Sequence, residues 1–253
     1  MIIELVGPPG VGKTTLARAL ATRLQDSGRD ADAVLSFRPN ERSGAASGNR
    51  EPAKTQAILQ RLARPVWEMA AISTASSKEE RLIARTLLEM VPAKTLLTAC
   101  RMRQYILRLA WAWRTAAIGA RISIFDQAFV QAIYSLATVA RRADTDMLDR
   151  ALTYVPQPDL LVRLHAPDDV LQSRLAERRR RQGMLERLLE VEPAVNLAST
   201  STFDRLDRIV RAKGFPVIRL ESAGDSSRET ALQLLEHAIT CRSGRAGMGV
   251  VLH

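Results

Sequence analysis

Gly7-Pro8-Pro9-Gly10-Val11-Gly12-Lys13-Thr14 decides how this chain is read. The eight residues fit G-x-x-x-x-G-K-T, the phosphate-binding P-loop pattern. Each position has a chemical reason. Glycine lets the backbone curl tightly, so that successive N–H groups point at phosphate oxygens. Lys13 is placed to reach the β- and γ-phosphates, and the Thr14 hydroxyl to ligate Mg²⁺. The helix that starts here adds its positive dipole end to the same anion. The pattern therefore implies ATP and Mg²⁺ as cofactors. The expected contacts are Gly7, Pro8, Pro9, Gly10, Val11, Gly12, Lys13, Thr14 and Thr15, with Lys13 on an exposed loop.

The flanks supply the context that the motif needs. Ile2, Ile3, Leu5 and Val6 form a short apolar run, as a buried parallel strand should. Leu16, Leu20 and Leu24 follow at helical spacing, and Gly28 is placed to end that helix.

The 253 residues suffice for one large α/β domain or two small ones, and 46% hydrophobic content allows a real core. Aromatics are only 4%, which disfavours a nucleic-acid binder built on stacking platforms. The net charge of +10 leaves nucleic-acid binding open on charge alone, but no recognised motif for it is present. Most of the positive charge is arginine, which suits phosphate because guanidinium grips it bidentately. Cys100 and Cys241 make neither a disulfide framework nor a zinc set. A strand that begins at Ile2 leaves no room for a signal peptide, and no apolar run approaches a membrane span. A cytoplasmic protein without membrane contact is expected; a homodimer stays open.

Strand and helix signals alternate along the chain. A second strand is expected at 33–37, then a polar loop to Arg50. Residues 52–119 read as mostly helical, with a long helix over 96–118. Strands follow at 122–125, 160–164 and 216–220. Helices are expected from Phe129 to Ala140, over 168–182, 203–212 and 228–240. Residues 196–202 read as a loop. Alternation of this kind predicts a five-stranded parallel sheet with helices on both faces, the three-layer P-loop fold. The expected organisation is one domain over 1–241. Acceptor-side helices take about 38–119 and a helical lid about 168–190. Residues 242–253 read as a poorly ordered tail.

Asp126 closes the strand 122–125 and is the second key residue. A carboxylate there can hold Mg²⁺ or take a proton from a substrate hydroxyl. The same position suits an aspartate that caps the next helix, and the two roles can coexist. Work-performing P-loop ATPases often carry Asp-Glu at this point, the glutamate polarising water. This chain has Gln127, and it lacks an Asn-Lys-x-Asp guanine motif. Both absences point to transfer of the phosphoryl group to a bound acceptor.

Four stretches together resemble the P-loop kinases of nucleosides and nucleoside monophosphates, most closely the thymidylate kinase branch. They are the P-loop near the N-terminus, Arg38-Pro39 after the second strand, Asp126-Gln127-Ala128-Phe129, and the segment from Leu160 to Arg181 with Ala166-Pro167-Asp168-Asp169 and Arg174. The resemblance implies an acceptor phosphate near Arg38, a substrate-binding arginine such as Arg101 or Arg103, and an acceptor contact from residue 127. Gln127 replaces the arginine of that family, which removes a charge from the acceptor side. An uncharged hydroxyl acceptor is thereby nearly as well supported as a nucleoside monophosphate.

Arg174, Arg178 and Arg181 recur at i, i+4 and i+7, on one helical face. Such a row can close over phosphates and offset transition-state charge, or form a solvated basic surface. Lys13, Asp126, Arg174 and Arg178 are the expected catalytic set, Thr14 and Asp126 the metal ligands, and Arg38, Arg101, Arg103 and Gln127 the acceptor contacts. The overall expectation is an ATP-dependent phosphotransferase with a small-molecule acceptor. A kinase of a sugar or antibiotic hydroxyl, and a regulatory ATPase acting on a protein or nucleic acid, remain as alternatives.

Overall fold

Every residue of Ile2–Val6 (β1) is buried. A strand buried on both faces belongs inside a sheet. In the computed structural model, which describes residues 1–35, 77–89, 96–139, 144–181 and 199–247, β1 is the central strand of five. The others are Ala31–Val34 (β2), Ile122–Phe125 (β3), Leu160–His165 (β4) and Val217–Glu221 (β5). The order is β2-β3-β1-β4-β5, and every pairing is parallel. Ile3 lies beside Ile124 of β3 on one side and Leu160 of β4 on the other.

The described helices are Lys13–Asp26 (α1), Lys78–Glu89 (α2), Leu96–Ile118 (α3), Phe129–Val139 (α4), Thr145–Tyr154 (α5), Asp168–Arg181 (α6), Ser199–Ala212 (α7) and Asp225–Gly247 (α8). Side chains alternate across a strand, so β1 serves two cores. Ile3 and Leu5 pack with Leu16, Leu20 and Leu24 of α1 and Leu232, Leu235 and Ile239 of α8. The other face is covered by α4, α5 and α7, where Tyr134 stacks on Phe203 with ring centroids 3.5 Å apart. This is the P-loop NTPase architecture expected above.

Local chemistry sets the helix ends. Gly28 adopts φ +76°, donates its N–H to the Gln25 carbonyl, and lets Arg29 N–H reach Leu24 O. That left-handed closure suits glycine and stops α1. Ser77 and Glu80 exchange side-chain to backbone bonds at the start of α2, a reciprocal cap. Asp144 caps α5 through Asp146 N–H.

The structure departs from the expectation in several places. β2 starts two residues earlier than 33, because Asp32 fits this edge strand by accepting a bond from Ser123 Oγ. Residues 199–202, expected as loop, form the first turn of α7. Serine and threonine are weak helix formers but well suited to an opening turn. The helix α5 was not expected at all. The last helix begins at Asp225 and runs to Gly247, past the expected end near 240 and into the stretch read as tail. Once a helix is nucleated, each added residue gains a backbone bond.

The chain divides into two compact units, residues 1–35 with 116–253, and residues 36–115. In the second unit, Glu80 on α2 pairs with Arg114 on α3 at 3.3 Å, and Trp113 is buried while Trp111 is half exposed.

Candidate functional site

The P-loop leaves β1 at Gly7. A Cβ there would come within 2.6 Å of the Leu164 carbonyl, so only glycine passes this close to β4. Gly10 and Gly12 take φ of +82° and +94°, a region that side chains with a Cβ resist. Gly12 is the N-cap of α1 and brings no side chain to its first amides. A helix start without a side-chain cap is a place where an anion can bind. Val11, between the two glycines, is fully buried and pins the loop to the core.

Lys13 differs from the expectation of an exposed loop residue. It opens α1 and is buried, with its Nζ donating to Gly7 O at 2.6 Å and Pro8 O at 3.1 Å. A buried ammonium needs acceptors, and the curl of the loop supplies them from its own backbone. The charge is thereby held inside the loop.

Asp126 ends β3, the neighbour of β1, and is buried. Its Oδ2 accepts the Thr14 hydroxyl at 2.6 Å. The carboxylate thus faces the P-loop, and α4 begins three residues later at Phe129. Thr14 and Asp126 form a hard oxygen pair of the type Mg²⁺ takes. Among the described residues no group of three or more His, Cys, Asp or Glu stands together.

Beside the loop lies a cavity of about 340 Å³. Gly10, Gly12 and Thr15 form one side, and Glu221, Ser222 and Arg228 another. Arg174 of α6 spans it, donating to Ser222 O at 2.9 Å and Ala223 O at 3.3 Å. Its guanidinium therefore ties α6 to the turn between β5 and α8.

The structure thus brings Lys13, Thr14, Thr15, Asp126 and Arg174 to one end of the sheet. Gln127 is half buried directly after Asp126. Arg103 is exposed on α3 in the second unit. Arg101 lies on the same helix and Arg178 on α6, but their side chains, like all of Arg38, fall outside the described residues.

Two residues that the sequence did not flag stand under the loop. Glu4 of β1 is completely buried. Gln131 of α4 donates its backbone N–H to Glu4 Oε1 at 2.8 Å, and its side-chain Oε1 accepts the Gly7 N–H at 2.9 Å. Burial drives the Glu4 carboxyl up to about 8 from the usual 4.5; the amides of Gln131, Ala128 and Val130 pull the other way. One signal was legible, a glutamate in an otherwise apolar strand, which must find a partner if buried.

A parallel five-stranded sheet with a P-loop between its central strand and first helix, and an aspartate across from the loop threonine, is the arrangement of the P-loop NTPase fold. Residues 3–37 match the model of the ATPase family associated with various cellular activities (AAA). That stretch contains the P-loop and both flanking elements. Among solved structures the chain is similar to deoxyadenosine kinase from M. mycoides with dATP bound, at 14% identity and a TM-score of 0.49, covering 95% of this chain and 99% of that one. The same kinase with the products dCMP and dCDP matches at 14% identity and a TM-score of 0.46, covering 95% and 100%. No curated protein matches the sequence. Among the described residues, no helix is long and apolar enough to cross a membrane.

Proposed function

We propose that this protein is an Mg²⁺-dependent kinase that moves the γ-phosphate of ATP to a small-molecule acceptor, with a nucleoside or nucleoside monophosphate as the first candidate. One observation carries the reading. The buried Asp126 carboxylate is set 2.6 Å from the Thr14 hydroxyl at the mouth of the P-loop, and Gln127, not glutamate, follows it. A carboxylate there suits a metal or an acceptor hydroxyl, and the residue that polarises water in working ATPases is missing.

The proposed roles are these. Backbone N–H groups of the loop and the start of α1 bind the β- and γ-phosphates. Lys13 exchanges its carbonyl partners for phosphate oxygens and spreads the charge that develops there. Thr14 and Asp126 would hold Mg²⁺, which supplies charge neutralisation between the phosphates when bound. Asp126 orients the acceptor hydroxyl or takes its proton. The cavity between Thr15, Arg174 and Arg228 receives the base and ribose of the donor. Arg178 on α6 closes over the transferring group. Arg38, Arg101, Arg103 and Gln127 are the acceptor contacts that the resemblance to the nucleoside monophosphate kinases implies. A single P-loop kinase-like domain is read over 1–241, with α6 in its lid.

The AAA match supports a second reading, a regulatory ATPase that acts on a protein or nucleic acid. Phosphate transfer from labelled ATP, run against a panel of nucleosides, nucleoside monophosphates, sugars and aminoglycosides, separates the two. The kinase reading expects a labelled organic product and ATP use that depends on one acceptor class. Release of inorganic phosphate at a rate that no acceptor changes would replace it with the ATPase reading.

A further inference from the structure

The start of the P-loop is held by a connection that the motif itself does not contain. The ladder between β1 and β4 runs to Val6 beside Arg163, and β1 pairs with β3 as far as Glu4. At Gly7 the backbone leaves the sheet. Its N–H points at the side chain of Gln131, 124 positions later, and is buried. Because an amide N–H is a donor only, the Gln131 carbonyl oxygen is fixed toward it. Gln131 is itself about 96% buried, and its backbone N–H bonds the buried Glu4.

We infer that Gln131 is a positioning residue of the nucleotide site, holding Gly7, and through Gly7 the whole loop, at a set height above α4. The bonds close a frame. Gly7 N–H reaches Gln131, the Gly7 carbonyl receives Lys13 Nζ, and Thr14, next in sequence, bonds Asp126. Asp126 lies five residues before Gln131, so both tethers run from the loop to one short stretch of chain. The Thr14–Asp126 tether fixes the α1 end of the loop, and the Gly7–Gln131 tether fixes the β1 end. Leu164 blocks movement of Gly7 toward β4, since its carbonyl sits within 2.6 Å of where a Cβ would be. With Gln131 removed, the Gly7 amide keeps no acceptor on the α4 side, and the Lys13 carbonyl partners lose their reference point. Glu4 plays the lower part, receiving the Gln131 N–H and seating the first turn of α4.

The inference rests on nucleotide binding at the P-loop and is independent of what accepts the phosphoryl group. The test is Gln131→Met, which keeps length and bulk and deletes the acceptor. Its readouts are the Kd of a fluorescent ATP analogue with Mg²⁺ and the Tm. The expected result is affinity about five- to tenfold weaker, the size of one hydrogen bond to the loop, with Tm lowered by only a few degrees. An unchanged Kd in a folded variant would overturn the role. If the variant does not fold, hydrogen exchange at Gly7 in the nucleotide-free wild-type protein decides. Protection by about 10² or more over exposed loop amides supports the tether, and exchange at an exposed rate refutes it. A wild-type protein that binds no nucleotide would remove the P-loop function itself, whereas wild-type binding matched by Gln131→Met removes this inference alone.

Discussion

Asp126 and Glu4 are two buried carboxyls on neighbouring strands, and their surroundings give them different work. Asp126 faces a hydroxyl at the open end of the sheet, so its effect should appear in turnover. Asp126→Asn is expected to lower the rate of phosphoryl transfer by roughly 10² to 10⁴ while leaving nucleotide affinity without Mg²⁺ nearly unchanged. Steady-state kinetics with equilibrium binding checks this, and near-normal turnover would leave Asp126 a structural residue. Glu4 faces inward, so its effect should appear in stability. Its carboxyl is raised from 4.5 to about 8 in the folded chain, mainly by burial. Between those values the folded state holds more protons than the unfolded state. Stability contributed by this group is therefore full below about pH 4.5 and falls as pH rises toward about 8. Glu4→Gln keeps an acceptor for the Gln131 amide and cannot ionise. Its Tm relative to wild type should rise steadily between pH 5 and pH 8.5; a difference that is flat with pH would show that Glu4 does not titrate in this range.

At the scale of elements, the alternation of strands and helices was readable because it follows local periodicity. The 3.6-residue pattern placed α3 at Leu96–Ile118, and the glycine at position 28 marked the end of α1. Helix α5 was missed although Asp144 caps it and Leu148, Ala151 and Leu152 recur at helical spacing. The P-loop and the carboxylate opposite were legible for the same reason, each being a short motif at a strand end. The Gln131 tether was not, because its partners lie 124 and 127 positions away. Nor was the bonding of Arg174, whose partners are backbone carbonyls and leave no mark in the sequence. That bonding yields a prediction about α6. Arg174→Ala should loosen the wall of the 340 Å³ cavity and raise the KM for ATP severalfold with little change in kcat. A fall in kcat at constant KM would instead return Arg174 to the transferring phosphoryl group, the role its place in the arginine row suggested.

Across the whole molecule, one ion-pair cluster ties together elements that the nucleotide site does not join. Asp207 on α7, almost fully buried, meets Arg163 of β4, Arg211 one turn on, and Arg219 of β5. Burial alone would push the Asp207 carboxyl up, but the bond from Arg219 and the charges of Arg163, Arg219 and Arg211 outweigh it and hold the group below 3.8. The stabilisation is present above that value and is lost as pH falls through the lower folded one. Asp207→Asn should therefore cost about 1–3 kcal/mol at pH 7, with the gap to wild type closing as urea melts are repeated toward pH 3. The central place of β1 has a consequence for how the chain is made. The loop motif is complete within the first 26 residues, yet the strands beside it come from positions 122–125 and 160–165. On a ribosome, β1 waits with one edge bare until β3 at 122–125 has followed, and with the other bare until β4 at 160–165. Long-range closure of this kind is slow, and unpaired strand edges invite wrong partners. A nascent chain halted before β4 would carry the whole phosphate-binding motif and no competent site, so nucleotide binding becomes a marker of late folding.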